Sequence, residues 1–307
     1  MRAIILAAGL STRLGTLSAE RPKPLFPVCN IPLIRYALAL LRGHGITDVA
    51  VNLHHHGEQI ERELGDQVIY SREPVILGTG GGLRQLGDWL THGGRDPFFV
   101  VNGKLLVDAD LHELRARHES SGAVATMLVR ETPDAARWGA IDVGADGRVT
   151  GIIGQGRPSA HSCMFTGVHI LSPRLLDRLP PTGESDSIRQ AYLPALLDGD
   201  RIEGVLLRGY FHEHSTPERY LEGNWNVLAG RATLKYPPGP YLRIDPSAAI
   251  SPDASLGAEV VVGAGARIES GARLDRVVIW PGSVVSGELH DAIVTPRGIF
   301  RLGGANG

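Results

Sequence analysis

The sequence predicts an α/β fold with a mixed, mostly parallel sheet, followed by a short C-terminal coil of parallel strands. Three observations carry this. Short apolar runs alternate with amphipathic stretches over the first 230 residues or so. A small-residue loop, Ala7-Ala8-Gly9, follows the first apolar run at once. A six-residue aliphatic repeat begins at Ile250.

Each element follows from its pattern. Ile4–Leu6 is an apolar run of strand type. Leu33–Arg42 has helical spacing, with Leu33, Tyr36, Ala37, Leu40 and Leu41 on one face. Asp48–Leu53 reads as a second strand, Gly57–Leu64 as a short helix and Gln67–Tyr70 as a third strand. Gly80–Trp89 suits a helix entered through glycines, and Pro97–Val101 is another buried strand. Strands alternating with helices imply a parallel sheet covered on both faces. Ligands of such sheets sit at the carboxyl ends of the strands, so the loops after Leu6, Tyr70 and Val101 are expected to meet at one pocket. The middle of the chain is richer in strands: Ala123–Arg130, Ala140–Val143 and Met164–Leu171, with a tight turn at Ala145-Asp146-Gly147-Arg148. Ser187–Asp198 has Ile188, Tyr192, Leu193 and Leu196 in helical phase, and Arg201–Arg208 returns to strand.

Tyr236-Pro237-Pro238-Gly239-Pro240 reads as a linker. Beyond it Ile250, Leu256, Val262, Ile268 and Leu274 recur every six residues, with Ala254, Val260, Ala266, Ala272 and Val278 four places after each hexad begins. That period matches one face of a triangular coil. It resembles the left-handed parallel β-helix of hexapeptide-repeat proteins. The expected domains are 1–235, a linker at 236–245, and a β-helix with its tail at 246–307. About two coils are present, so this part is expected to lean on the first domain or on another subunit, and a homo-oligomer through the β-helix is an expectation.

The chain has 307 residues, enough for two domains, and 43% hydrophobic against 21% charged residues, enough for a core. A formal net charge of −2 argues against nucleic acid as a partner. Cys29 and Cys163 lie far apart without metal-ligand spacing and read as free thiols. Neither a signal peptide nor a membrane span is read, so the expected location is the cytoplasm.

The chemistry concentrates in residues 4–24. Backbone N–H groups of the loop Ala7–Arg13 can approach phosphates closely because little side chain intervenes. Arg13 and Lys23 add two positive charges, the latter between Pro22 and Pro24. Gly9, Thr12, Arg13, Leu14 and Pro22-Lys23-Pro24 resemble the signature of the sugar-1-phosphate nucleotidylyltransferases, with Ser11 and Thr16 where that signature has glycine and proline. The resemblance covers roughly residues 1–230, and the order of domains is that of enzymes similar to GDP-mannose pyrophosphorylase. It implies a Rossmann-like nucleotidyltransferase domain. It also implies attack of a sugar 1-phosphate oxygen on the α-phosphorus of a nucleoside triphosphate, GTP or UTP. Ala8 and Gly9 would hold the nucleotide through backbone groups. Arg13 would neutralise the triphosphate, and Lys23 would bridge its α-phosphate and the sugar phosphate. Gly78 and Thr79 of Leu77-Gly78-Thr79-Gly80-Gly81-Gly82 would contact the base. Glu73 stands where relatives read the base, and a carboxylate accepting twice from guanine tilts the choice towards GTP.

The resemblance also exposes departures. Val101-Asn102-Gly103-Lys104 matches a family pattern V-N-G-D, with Asn102 a nucleotide contact and Lys104 in place of the aspartate that binds Mg²⁺. Lysine cannot ligate the ion. Lys104 could replace the cation, the chain could be an inactivated variant, or Asp108 or Asp110 could have taken over. Glu213 of Phe211-His212-Glu213-His214 stands for the second metal ligand, one methylene longer than aspartate. Zinc at His212-Glu213-His214 is disfavoured because neighbours in a strand face opposite ways. His54-His55-His56 read as solvated loop residues. For the sugar, the resemblance points to Gly139 of Arg137-Trp138-Gly139, to Gly167 of Phe165-Thr166-Gly167, and to Arg157 for the sugar phosphate. The expected function is synthesis of an NDP-sugar for cell-surface glycans, impaired if Lys104 removes an essential metal. The alternative is an inactive nucleotide-sugar-binding regulatory or assembly subunit. A hexapeptide acyltransferase is set aside, since His290 is the one histidine in the repeat region.

Overall fold

The structure is a computed structural model that describes residues 1–159 and 161–302. The described residues fall into two compact units, one within 1–9, 37–103 and 108–210, the other within 10–36, 104–107 and 211–302.

The first unit is built on a ten-stranded sheet. Its strands are β1 (Ala3–Leu6), β2 (Val49–Leu53), β3 (Ile69–Arg72), β4 (Phe98–Asn102), β5 (Ala125–Glu131), β6 (Ile141–Val143), β7 (Val149–Ile152), β8 (Gln155–Gly156), β9 (His161–Leu171) and β10 (Ile202–Leu206). The main order is β8-β7-β6-β9-β4-β1-β2-β3, with β5 between β9 and β10. β1 is parallel to both β2 and β4, and β2 is parallel to β3. Leu6 lies opposite Asn52 on one side and Asn102 on the other, so the carboxyl ends of these strands share one edge. Strand order reverses between β1 and β4, which is where ligands of open parallel sheets bind. β9 runs antiparallel to β4 and makes the sheet mixed. Ile4, Phe98, Val100, Met127 and Tyr192 belong to one buried core, consistent with the uninterrupted apolar runs of central parallel strands.

Three local differences from the sequence reading have physical causes. The third strand begins at Ile69 rather than Gln67 because a turn holds Gln67, whose N–H donates to Leu64 O and whose side chain accepts from Arg42 at 2.9 Å. The glycine-led helix starts at Gly78 and breaks at Leu86, giving Gly78–Gln85 and Gly87–Leu90. The stretch from Ser187 opens with a wide π turn over Ile188–Tyr192 before the helix Leu193–Leu197, which contains Pro194 and its missing N–H donor.

In the second unit, Leu105–Val107 pairs antiparallel with Phe211–Glu213, setting Leu105 opposite Glu213. The helix Pro217–Leu228 follows, capped by the Thr216 hydroxyl, which accepts from Arg219 N, and opened by Pro217. The hexad repeat forms stacked parallel ladders. Ile250 pairs with Ile268 and Leu256 with Leu274, each three hexads on, so three hexads make one coil. Later pairings, Val262 with Ile279 and Leu274 with Leu289, are shorter steps. Val262, Ile268, Leu274, Ile279, Val285 and Leu289 form the buried interior. The antiparallel strand Gly298–Arg301 ends the stack. An aromatic cluster ties this stack to the rest of the unit. Trp280 packs edge-on against Phe26 at 4.9 Å, and its Nε1–H donates to the Tyr220 hydroxyl at 3.0 Å. Asn30 Nδ2 adds hydrogen bonds to the carbonyls of Leu242 and Val262.

Candidate active site

The second unit sets Lys104 and Arg219 against one carboxylate, Glu213, with Lys23 and Arg13 close enough for their charges to act on the cluster. Lys23 sits in a tight turn, Lys23–Leu25, after extended Pro22, and is buried. Arg13 lies on the short turn Thr12–Leu14 and is exposed. Ser11, which precedes it, has a left-handed backbone at φ 57°, the reason glycine suits that place. Lys104 enters just before Leu105–Val107, and its Nζ lies 3.8 Å from Glu213 Oε2. Arg219, from the first turn of the following helix, places Nε 3.0 Å from Glu213 Oε1. Ser215 Oγ donates a short hydrogen bond to the same carboxylate.

Electrostatics follow from burial. Burial, together with the charges of Lys104 and Arg13, lowers the Lys23 ammonium from the usual lysine range to about 7, with Glu213 opposing the shift. Burial lowers Lys104 too, again opposed by Glu213. Among the described residues neither ammonium makes a hydrogen bond, so their N–H donors stand ready for an anion. Two buried histidines support the strand behind them. His212 Nε2–H donates to Arg219 O at 2.7 Å, and His214 Nδ1–H donates to Lys104 O at 3.1 Å. Burial holds His214 neutral, and its Nε2 has no partner. His212 and His214 face one another at 4.9 Å while the intervening Glu213 turns to the cations.

This cluster does not fit magnesium. The ion takes about six oxygen ligands. Glu213 is the one carboxylate here, and its oxygens already face Lys104, Arg219 and Ser215. Asp110 is committed to capping the helix Leu111–Ser121, accepting from His112 N and Glu113 N. Among the described residues no three His, Cys, Asp or Glu side chains gather to hold a metal.

In the first unit, the loop after β1 is held by a chain of hydrogen bonds that the sequence reading missed. Ala7 N donates to Asn52 Oδ1 at 2.7 Å, and Asn52 Nδ2 donates to Glu73 Oε1 at 2.8 Å. Leu77 N donates to Glu73 Oε2 at 3.0 Å, and His54 Nδ1–H to Glu73 O at 2.8 Å. Glu73 is buried with both oxygens engaged, which leaves its carboxylate turned to the protein rather than to a base. The signal was present: an asparagine inside a wholly buried strand, Val49–Leu53, needs partners. Ala8 is buried and Gly9 exposed.

The glycine run packs closely. A Cβ on Gly78 would meet Ser185 O at 2.4 Å, and one on Gly82 would meet Asn52 Nδ2 and Glu73 Oε1 at 2.8 Å. Thr79 Oγ1 accepts from Ser187 N at 2.9 Å. Asn102 closes β4 against Gly167, where a Cβ would come 2.1 Å from Asn102 Nδ2 and φ is 86°. Gly139 ends the turn Ala135–Trp138 with a left-handed backbone. Arg157 is exposed, its N–H donating to Thr150 O at 2.7 Å.

The first unit offers a parallel sheet with a small-residue loop at its switch point, and the second a cationic cluster suited to anions. Residues 2–228 match the nucleotidyl transferase family. The chain belongs to that family, and within it to the sugar-1-phosphate nucleotidylyltransferases. It is 31% identical to a mannose-1-phosphate guanylyltransferase of Mycobacterium tuberculosis over 78% of this chain and 67% of the relative. It is 29% identical to a probable mannose-1-phosphate guanylyltransferase 2 of Arabidopsis thaliana, over 79% of this chain and 70% of the relative. The Dictyostelium discoideum guanylyltransferase catalytic subunit beta is 29% identical over 73% of this chain and 63% of its own length. In fold, the chain resembles HddC of Yersinia pseudotuberculosis, solved with GMP-PN, at TM-score 0.59 and 21% identity over 74% of this chain and 99% of that one.

Proposed function

We propose that the chain transfers a guanylyl group from GTP to a hexose 1-phosphate, giving a GDP-sugar and pyrophosphate. The carrying observation is the cluster Arg13, Lys23, Lys104 and Arg219 around Glu213, in a chain of this family. Phosphoryl chemistry asks the protein mainly for positioning and charge neutralisation. Arg13 faces the β- and γ-phosphates that leave, and Lys23 the α-phosphate and the incoming sugar phosphate. Backbone groups of Ala8 and Gly9 hold the nucleotide, with Asn52 and Glu73 fixing that loop from behind. Gly78, Thr79 and Asn102 serve the nucleotide, and Gly139, Gly167 and Arg157 the sugar phosphate. Guanine is supported by the relatives, not by Glu73, whose oxygens are engaged.

The product is an activated sugar of the kind consumed in glycan assembly, with the cytoplasm as the place of synthesis. No helix among the described residues is long and apolar enough to cross a membrane. The stacked ladders of 249–295 are a left-handed β-helix and the surface through which copies associate.

The test is pyrophosphate release with each of four nucleoside triphosphates against a panel of hexose 1-phosphates. GTP with mannose 1-phosphate should give the highest kcat/KM. A different productive base would overturn the guanylyl assignment, and silence with every pair would favour the binding-protein alternative.

A further inference from the structure

The strongest feature outside the roles already assigned is the Lys104 ammonium, which makes no hydrogen bond beside the Glu213 carboxylate. We propose that this chain binds and turns over its nucleoside triphosphate without a divalent cation, the Lys104 ammonium carrying the charge such an ion would supply. This rests on the transferase reading and deepens it.

Three observations carry the inference. First, Lys104 and Arg219 both lie against Glu213, at 3.8 and 3.0 Å, so an ion seated on Glu213 would displace one cation and abut the other. Second, the 3.8 Å separation is too long for a hydrogen bond, and among the described residues Lys104 Nζ has no hydrogen-bond acceptor. Its donors are therefore open to phosphate oxygens, as a point charge that needs no fixed fork geometry. Third, Arg13, Lys23, Lys104 and Arg219 outnumber the one carboxylate. Such a surplus complements a metal-free triphosphate, which carries about four negative charges, better than its magnesium complex, which carries about two. His214 secures the arrangement by donating to Lys104 O at 3.1 Å, which fixes where the ammonium starts.

The step balances without an ion. An oxygen lone pair of the sugar 1-phosphate forms the new bond to the α-phosphorus. The bond from that phosphorus to the α–β bridging oxygen breaks, and its electron pair leaves with pyrophosphate. Both phosphates are already ionised, so no proton transfer is required. Lys104 and Arg13 face the charge that develops on the leaving oxygens.

Calorimetric titration of GTP into the full chain, in EDTA and then in excess Mg²⁺, tests this alongside pyrophosphate release under the same two conditions. The expected result is a Kd in EDTA equal to or tighter than that in Mg²⁺, with turnover changed less than threefold by EDTA. Lys104→Met should weaken GTP in EDTA at least tenfold, and Lys104→Arg should restore most of the loss. Thermal melts confirm that each variant is folded. Turnover or binding that collapses in EDTA and returns with Mg²⁺ overturns the inference while leaving the transferase reading standing. Metal-free binding without turnover on any substrate overturns the transferase reading instead, and no binding in either buffer overturns both.

Discussion

Lys104 and Glu213 meet across neighbouring antiparallel segments, Nζ to Oε2 at 3.8 Å, as the loosest pair in a cluster whose other contacts are closer. The carboxylate engages Arg219 and moderates the two lysines without using up their donors. Glu213→Gln should therefore move two readouts in opposite directions. Stability should fall by about 1–3 kcal/mol, because Arg219 and Ser215 lose an ionised acceptor. Affinity for metal-free triphosphate should rise several-fold at a pH low enough to keep Lys23 protonated, because one negative charge has gone while the ammonium that Glu213 supports is retained. Thermal melts and calorimetry check both. A folded variant with weaker triphosphate binding would mean that Glu213 serves a cation.

The proposed contact of Lys23 with the phosphates makes the reaction pH-dependent. Its ammonium titrates near about 7, lowered by burial and by Lys104 and Arg13 and supported by Glu213. Loss of its proton removes a charge from the phosphates, so kcat/KM should fall as pH rises through about 7. Lys23→Arg should flatten that limb, and Lys23→Met should lower kcat/KM by about 10²–10³. Stability should run the other way. The unfolded chain keeps this proton up to the ordinary lysine range, so the cost of burying the charge is full below about 7 and is relieved as pH rises above it. Lys23→Met should therefore be more stable than the parent at pH 6, with the gap closing towards pH 10.5.

Asn52 and Glu73 hold the loop after β1 through one chain of hydrogen bonds. Removing Asn52 leaves Ala7 N and Glu73 Oε1 without their partner at 2.7 and 2.8 Å. Asn52→Ala should cost about 1–3 kcal/mol and raise KM for the nucleotide. Glu73→Gln should leave the preference for GTP over UTP unchanged, because neither carboxylate oxygen is free to meet a base. A switch in base preference would restore Glu73 as the reader.

How much of this was legible depends on whether a residue's role is local. The sheet was visible because central parallel strands are apolar runs, as at Phe98–Val101. The coil was visible because three hexads make one turn, so Ile250 must meet Ile268. Alternation along a strand correctly separated His212 and His214 from Glu213. What stayed hidden needs a partner distant in sequence. Asn52 looked like an ordinary strand residue until Glu73 was placed beside it, and Glu73 looked like a base reader until Leu77 N closed on it. Arg219 and Ser215 likewise acquire meaning only when Glu213 turns towards them.

Trp280 decides whether the repeat stack matters to catalysis. It is wholly buried, edge-on to Phe26 at 4.9 Å, and donates to Tyr220 at 3.0 Å. Tyr220 in turn donates to Pro27 O at 2.6 Å and sits in the first turn of the helix that also carries Arg219. The same side chain thus holds both the turn bearing Lys23 and the helix behind Glu213. Trp280→Ala should cost about 3–5 kcal/mol through lost packing. It should also raise KM for the triphosphate, since Lys23 and Arg219 lose their common support. Trp280→Phe keeps most of the buried ring and loses one N–H, leaving Tyr220 its bond to Pro27. It should cost about 1 kcal/mol and leave KM within twofold. Melting curves and steady-state kinetics on the two variants separate the effects. An unchanged KM in a folded Trp280→Ala variant would show that the repeat stack stabilises the chain without positioning its cations.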